Sequence, residues 1–512
     1  MRIEPTVGKN LGAKMIVFQI LFASCLLIFI LWKWKVSYWQ RRDIPCIEAK
    51  FPFGSIADIV LMRKTIGEVY DEIYYQLGDA PFGGIYRFWW PALFVKDPEL
   101  IKTVFVKEFP SFHDNDYYVN PDVDPILGLN PFNSKGEKWK YSRGIVTPSL
   151  TILKTKMMLP GIRLVCQQMI DYLNSHLGEH LETYELMAKY STDVVGCSAY
   201  GMYGNSFEHP DSTLRQMSSK MFDGSLKGNI ALLCALYAPK LGSILKFKIL
   251  TEEVNEYFVQ VVRKAVEQRK DTNTVRDDFL QSLINENNEA EARGEPPVFS
   301  DKEMAAHSMT FFLDGFETTA ILLGFILYEL SLNALPQEKL RQELLKVGTS
   351  LDEFEFDKIH EAEYLDRVVM ETLRMHPSGT SFARSCTQDI TLRSADGREV
   401  FVEKGTPVIL PMYSVHNDSK YFPNPDVFDP ERFTEENKAT RPQFSFFPFG
   451  GGPRTCPGNK FAMTMVKLAV VAVVLNFSLA PREIPRGKLE LDPLNQFFHT
   501  AKRGLWVKFD RL

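Results

Sequence analysis

The longest uninterrupted apolar pattern in the chain comes first. Residues 15–32 form an 18-residue stretch without a charge, set between Lys14 and Lys33. At about 1.5 Å per helical residue it covers most of a bilayer core, which predicts a membrane-spanning helix. The stretch exceeds the apolar part of a cleavable signal peptide, and no small-x-small site follows it before the charged residues 33–42. Lys33, Lys35, Arg41 and Arg42 lie beyond it, against Arg2, Lys9 and Lys14 before it. That modest excess orients the rest of the chain to the cytosol. Trp32, Trp34, Tyr38 and Trp39 fit an interfacial aromatic belt. The expected organisation is an anchor at 1–32, a linker at 33–54 containing Pro45, Pro52 and Gly54, and a large domain at 55–512.

Beyond the anchor the periodicity changes several times. Helical runs in 55–77 give way to β-rich pieces at 84–88 and 92–95, and the stretch 135–375 reads almost entirely as helix. Short strands return at 390–392 and 399–402, followed by a Pro-rich irregular stretch at 423–453 and an apolar helical run at 461–475. The charged segment 286–297 reads as a surface connection. The longest predicted helix covers 300–333: Ser300 and Glu303 form a capping box, and Pro336 lies just beyond the end. It would span about 50 Å, enough to cross a domain. In its middle stands Asp314-Gly315-Phe316-Glu317-Thr318-Thr319, a helix-weakening set that points to a functional break in regularity. The order of elements predicts a mainly α fold with small β-sheets.

Composition narrows the function. With 512 residues, 45% hydrophobic and 24% charged, the chain can bury a large core, so disorder is excluded. A net charge of −5, with neither zinc-finger spacing nor a basic stripe, gives no support to nucleic acid as a partner. Seven scattered cysteines lack the pairing of a zinc site or disulfide framework and suggest a reducing compartment.

One cysteine has unusual surroundings. Cys456 lies in Phe447-Pro448-Phe449-Gly450-Gly451-Gly452-Pro453-Arg454-Thr455-Cys456-Pro457-Gly458, just ahead of the apolar run 461–475. The glycines can take positive φ, and Pro457 suits a first helical residue. A thiol at a helix N-terminus is expected to have a lowered pKa and to bind metal as thiolate. A lone thiolate suits haem, which takes a single axial ligand of this kind.

This segment resembles the haem-binding signature of the cytochromes P450, Phe-x-x-Gly-x-Arg-x-Cys-x-Gly, and Phe449, Gly452, Arg454, Cys456 and Gly458 fill its fixed positions. The mid-helix set resembles the family's Ala/Gly-Gly-x-Asp/Glu-Thr-Thr/Ser pattern, which implies that Thr318 and Glu317 relay protons during oxygen activation. Asp314 departs from it, standing where the family has a small residue; if it faces the pocket it narrows it or contacts a polar substrate group. Glu371 and Arg374, with Arg432 in Pro430-Glu431-Arg432-Phe433, resemble the Glu-x-x-Arg and Pro-Glu-Arg-Phe elements, implying a structural triad near the cysteine loop. Trp139 and Arg143, four apart on one helical face, resemble the Trp-x-x-x-Arg element; with Arg384 and Arg454 they would hold haem propionates.

The resemblance covers residues 30–512 and is closest to the microsomal animal type, with an insect xenobiotic-metabolising branch as the nearest match in general character. It implies haem b with Cys456 as axial ligand, an endoplasmic-reticulum location with the catalytic domain in the cytosol, and an apolar small-molecule substrate. No nucleotide-binding strand-turn-helix is present, so electrons must come from another protein. NADPH-cytochrome P450 reductase is implied, with cytochrome b5 as a second candidate. Lys135, Lys138, Lys140 and Lys460 would offer it a positive face. Three readings stand at this point: a monooxygenase, a P450-fold isomerase or dehydratase, and a non-catalytic haem sensor. Candidate pocket residues are Phe112, Tyr117, Tyr118, Phe312, Phe316, Phe497 and the segment 217–238.

Overall fold

The computed structural model describes residues 6–209, 211–222, 224–485 and 487–512. The apolar N-terminal pattern forms a helix, Thr6–Lys35, whose side chains from Lys14 to Leu31 are exposed. By length and hydropathy this region is a candidate membrane span. Among the described residues one other helix meets the same criterion, Asp301–Leu332, which is mostly buried and belongs to the core.

At the end of the exposed helix and just past it, two residues of the expected aromatic belt are core residues instead. Trp39 is fully buried, its indole Nε1 donating to the Ile85 carbonyl at 3.3 Å, and Trp32 packs edge-on against Phe51. A side chain on Gly84 would collide with the Trp39 ring, so glycine there admits the indole. Much of the segment 33–54 is thus packed on the first sheet rather than free.

Among the described residues ten strands make three small sheets: β1 Phe82–Arg87, β2 Trp90–Val95, β3 Asp114–Asn115, β4 His180–Glu182, β5 Phe382–Ser385, β6 Ile390–Arg393, β7 Glu399–Val402, β8 Pro407–Leu410, β9 Phe477–Pro481 and β10 Trp506–Arg511. The largest runs in the order β1-β2-β8-β5-β3, the second β4-β10-β9, and β6 pairs with β7. In the large sheet β2 is parallel to β8, while β5 is antiparallel to both β8 and β3, with Arg384 opposite Val408 and Asn115 opposite Arg384. This register sets Arg384 and Asp114 on neighbouring strands at the sheet edge.

The helical core is organised on Asp301–Leu332, about 48 Å long at 1.5 Å per residue. Its predicted capping box forms: the Ser300 amide donates to Glu303 Oε2 at 2.9 Å and the Glu303 amide to Ser300 Oγ at 3.3 Å. The helix runs without interruption through Gly315, contrary to the expected break. Gly315 serves packing: a Cβ there would sit 3.3 Å from Val195 of the Thr183–Tyr200 helix, the partner this helix packs against most extensively. The apolar run before the C-terminus forms Asn459–Val474, buried from Met463 onward. The segment 286–297 is not all connection, since the helix Phe279–Ala292 reaches into it.

Candidate functional site

Cys456 precedes the Asn459–Val474 helix, with Gly458 as N-cap, so Pro457 lies before the cap rather than at the first helical position. Gly450 (φ 71°) and Gly452 (φ 66°) take the left-handed conformation while Gly451 is extended. A side chain on Gly452 would strike the Phe105 carbonyl, so the loop closes tightly on Phe105. The Phe449 carbonyl accepts from the Cys456 amide at 2.9 Å and from Thr455 Oγ1 at 3.2 Å, locking the turn that presents the thiol.

Cys456 is solvent-accessible yet surrounded by protein, the signature of a side chain on the wall of an internal recess. The expected lowering of its pKa is not what the environment produces. Burial pushes the thiol up to about 11, against the opposing pull of the Gly458 and Asn459 amides and the Arg143 charge, while Asp314 pushes it further up. The protein provides groups that favour a thiolate but too little positive charge to create one; a bound metal cation would supply what is missing.

Asp314 is likewise open to solvent while set deep in protein, and it lies near enough to Cys456 for its charge to raise the thiol's pKa. Thr318, one turn further, is half-buried, and its Oγ1 donates to the Asp314 carbonyl at 2.8 Å. The Thr318 carbonyl accepts from Ser378 Oγ at 2.8 Å. Glu317 does not join them at the recess. It is 2% exposed, and its two oxygens lie 2.9 and 3.0 Å from the Tyr184 hydroxyl on the neighbouring helix. Burial raises its pKa to about 7, opposed by Tyr184 and Arg215.

Four residues predicted for the carboxylate clamp converge on the cysteine side. Trp139 and Arg143 share the helix Gly136–Val146. The Arg454 guanidinium lies 4.3 Å from the centre of the Trp139 ring and donates to the His113, Pro131 and Ser134 carbonyls and to Asp114. Arg384 is 2% exposed, its Nε has no hydrogen-bond partner among the described residues, and burial together with Arg454 lowers its pKa to about 9. A buried guanidinium with an unmet donor calls for an anion.

The structure also brings Glu371, Arg374 and Arg432 together. Arg374 grips Glu371 with two bonds of 2.8 and 2.9 Å, both side chains being fully buried. Arg432 Nε lies 3.3 Å from Glu371 Oε1, close enough for charge attraction, although Nε is not aligned for a hydrogen bond. Arg374 Nη1 donates to the His416 carbonyl at 3.2 Å, and His416 Nε2 accepts from the Phe447 amide at 2.9 Å. Through His416 the cluster is tied to the start of the cysteine loop.

Of the candidate pocket residues, Phe112, Phe312 and Phe316 are fully buried core. Tyr117 and Phe497 join Phe132 in an aromatic cluster with ring centres 5.6 to 6.1 Å apart. Sequence reasoning missed Asn130, whose Nδ2 donates to both oxygens of Asp314 at 3.2 and 3.4 Å, and also Tyr184, Asp114 and His416. None of these carries a local sequence signal: each is joined to the site by long-range packing.

The donor set fits haem: a lone thiol receiving backbone amides, a recess between the cysteine loop and the long helix, and buried arginines suited to propionates. Comparison with known proteins agrees. The family model for Cytochrome P450 matches residues 53–505. The chain is 32% identical to Cytochrome P450 6k1 of Blattella germanica, over 91% of this chain and 92% of that protein. It is 31% identical to Probable cytochrome P450 9f2 of Drosophila melanogaster, over 96% and 98%, and 31% identical to Probable cytochrome P450 28a5 of the same species, over 95% and 97%. The chain belongs to the cytochrome P450 family. It is therefore a haem-thiolate monooxygenase, an oxidoreductase that carries iron protoporphyrin IX on a cysteine thiolate.

Proposed function

We propose that this protein is anchored in the endoplasmic-reticulum membrane by residues 1–32, with its catalytic domain in the cytosol, and inserts one oxygen atom from dioxygen into an apolar small molecule. Electrons come from NADPH through a separate NADPH-cytochrome P450 reductase, with cytochrome b5 as a second donor. When bound, the haem supplies the reductive activation of oxygen. Cys456 would hold its iron through the thiolate. Phe449 and Gly458 shape the cysteine loop, and Trp139, Arg143, Arg384 and Arg454 hold the propionate side. Glu371, Arg374 and Arg432 keep that loop in register.

Thr318 handles protons at the recess through its hydroxyl. Glu317, with a pKa near neutrality, suits a proton store behind it. In this role it must release Tyr184 to reach Thr318, so Tyr184 governs its availability. The exposed Lys138, Lys140 and Lys460, with Lys135, form the face offered to the reductase.

The observation that carries this reading is the juxtaposition of Cys456 with Arg143 and with the Asp314 turn of the long helix around one recess. The test is the carbon monoxide difference spectrum of the reduced protein, followed by NADPH consumption with added reductase. A thiolate-type band that is absent from Cys456→Ala, and NADPH consumption that depends on substrate, are expected. A band that survives in Cys456→Ala would overturn the ligand assignment.

A further inference from the structure

A carboxylate open to the recess needs a partner. Among the described residues Asp314 accepts hydrogen bonds only from Asn130 Nδ2, at 3.2 and 3.4 Å. Among the described residues no Arg, Lys or His forms an ion pair with it, and no positive charge offsets its desolvation. A carboxylate set deep in protein, with spare lone pairs and no cation, is an expensive arrangement. Asn130 orients it: the Asn130 amide group holds both carboxylate oxygens, while Asn130 Oδ1 accepts from the Phe132 amide at 2.7 Å. The same loop therefore fixes Phe132, whose ring meets Tyr117 and Phe497. Phe132 is exposed and Phe497 half-buried, so this aromatic group is not sealed in the core. Burial raises the Asp314 pKa to about 7, so its ionised form gains most from a cation brought to it, and the Phe132 loop tied to it through Asn130 carries a ring whose quadrupole attracts an organic cation as well.

We infer that Asp314, oriented by Asn130, recognises a positively charged nitrogen on the substrate, so that the enzyme's preferred substrates are apolar molecules bearing an amine. This rests on the monooxygenase reading above and deepens it from an apolar substrate to a cationic amphiphile. The charged nitrogen sits against Asp314 and the aromatic loop, and the apolar body fills the remainder of the recess. Asp314 acts here by binding and orienting the substrate.

The test uses the full-length, haem-loaded protein and a permanently charged probe, N,N,N-trimethyl-4-phenylbutylammonium, which cannot ligate iron. Its neutral isostere is 5,5-dimethyl-1-phenylhexane. Binding of each is measured by equilibrium dialysis, with haem content and the carbon monoxide spectrum recorded on every protein. The parent is expected to prefer the cation by about tenfold or more, a typical gain for a desolvated charge pair. Asp314→Asn is expected to abolish that preference with the spectrum intact, and Asp314→Leu to favour the neutral probe. Asp314→Glu, which keeps the charge, is expected to retain part of it. A parent that binds the two probes equally, or an Asp314→Asn protein that keeps the preference at full haem content, would overturn the inference while leaving the haem assignment in place. Absence of the thiolate band from the parent would overturn both.

Discussion

Glu317→Gln is expected to make the protein more stable, and increasingly so as pH rises. The wild-type carboxyl is 2% exposed and has one hydroxyl donor, Tyr184, for two oxygens. The nearby Arg215 is already engaged by Glu185 at 2.6 Å. Burial lifts the Glu317 pKa from 4.5 to about 7. The sign follows from proton binding. Below pH 4.5 the group is protonated whether the chain is folded or not, and its titration costs nothing. Between 4.5 and 7 the unfolded chain ionises while the fold holds its proton, so stability falls as pH rises; above 7 the loss is constant. At 1.36 kcal/mol per pKa unit the full loss is about 3 kcal/mol. Glutamine keeps an oxygen for Tyr184 but buries an amide, which returns about 1 kcal/mol of that gain. The net stabilisation at pH 8 is about 2 kcal/mol, or roughly 2 °C in a chain of this size at about 2.1 cal/mol/K per residue. Thermal melts of haem-loaded parent and variant at pH 5 and pH 8, at one scan rate, provide the measurement. A difference in Tm that does not grow with pH would refute the claim that Glu317 is buried against its charge.

Three further expectations test other parts of the site. Arg374→Lys loses the two-pronged grip on Glu371 and cannot also reach the His416 carbonyl and the Pro425 carbonyl, which lies 2.7 Å from Nη2; the loss of about 3 to 6 kcal/mol should appear as a lower Tm and reduced haem content, and parent-like values for both would refute it. Thr318→Ala should keep haem and fold but release more hydrogen peroxide per NADPH consumed with reductase, since a methyl group cannot pass a proton; unchanged coupling at full haem content would remove Thr318 from the proton path. Deleting residues 1–31 should abolish carbonate-resistant membrane retention yet leave haem bound, because Trp32 and the buried Trp39 remain to close the first sheet; a truncated chain still retained by washed membranes would argue against a single anchor.

Much of this was legible because the decisive signals are local. Four residues of chain specify the Ser300/Glu303 cap, and the loop ending in Cys456 and Gly458 carries its own turn chemistry. The charged faces of Glu371 and Arg374 are one helical turn apart, so a helix alone places them. What was not legible depends on pairing across the fold. β3 is only two residues, Asp114–Asn115, and exists because β5 offers it an edge; nothing in those two residues announces a strand. Trp39 looked interfacial because its neighbours are aromatic and basic, and only the absent side chain at Gly84 makes room for it in the core.

The mid-helix motif separates the two cases most sharply. At about 100° per residue, Asp314 and Thr318 point within about 40° of one another, whereas Glu317 is turned about 100° from Thr318. The recess therefore receives the first acid of the motif and the threonine, and the neighbouring helix receives the second acid, where Tyr184 holds it. Gly315 and Thr318, three residues apart, are separated by about 60°, and the missing side chain of Gly315 faces Val195. Periodicity alone divides such a motif among faces, but it cannot say which face meets the recess until a second element is packed against the helix. Here the tight fit of Val195 on Gly315 turns the helix so that Asp314 meets the recess, which makes the residue that departs from the family pattern the one best placed to choose a substrate.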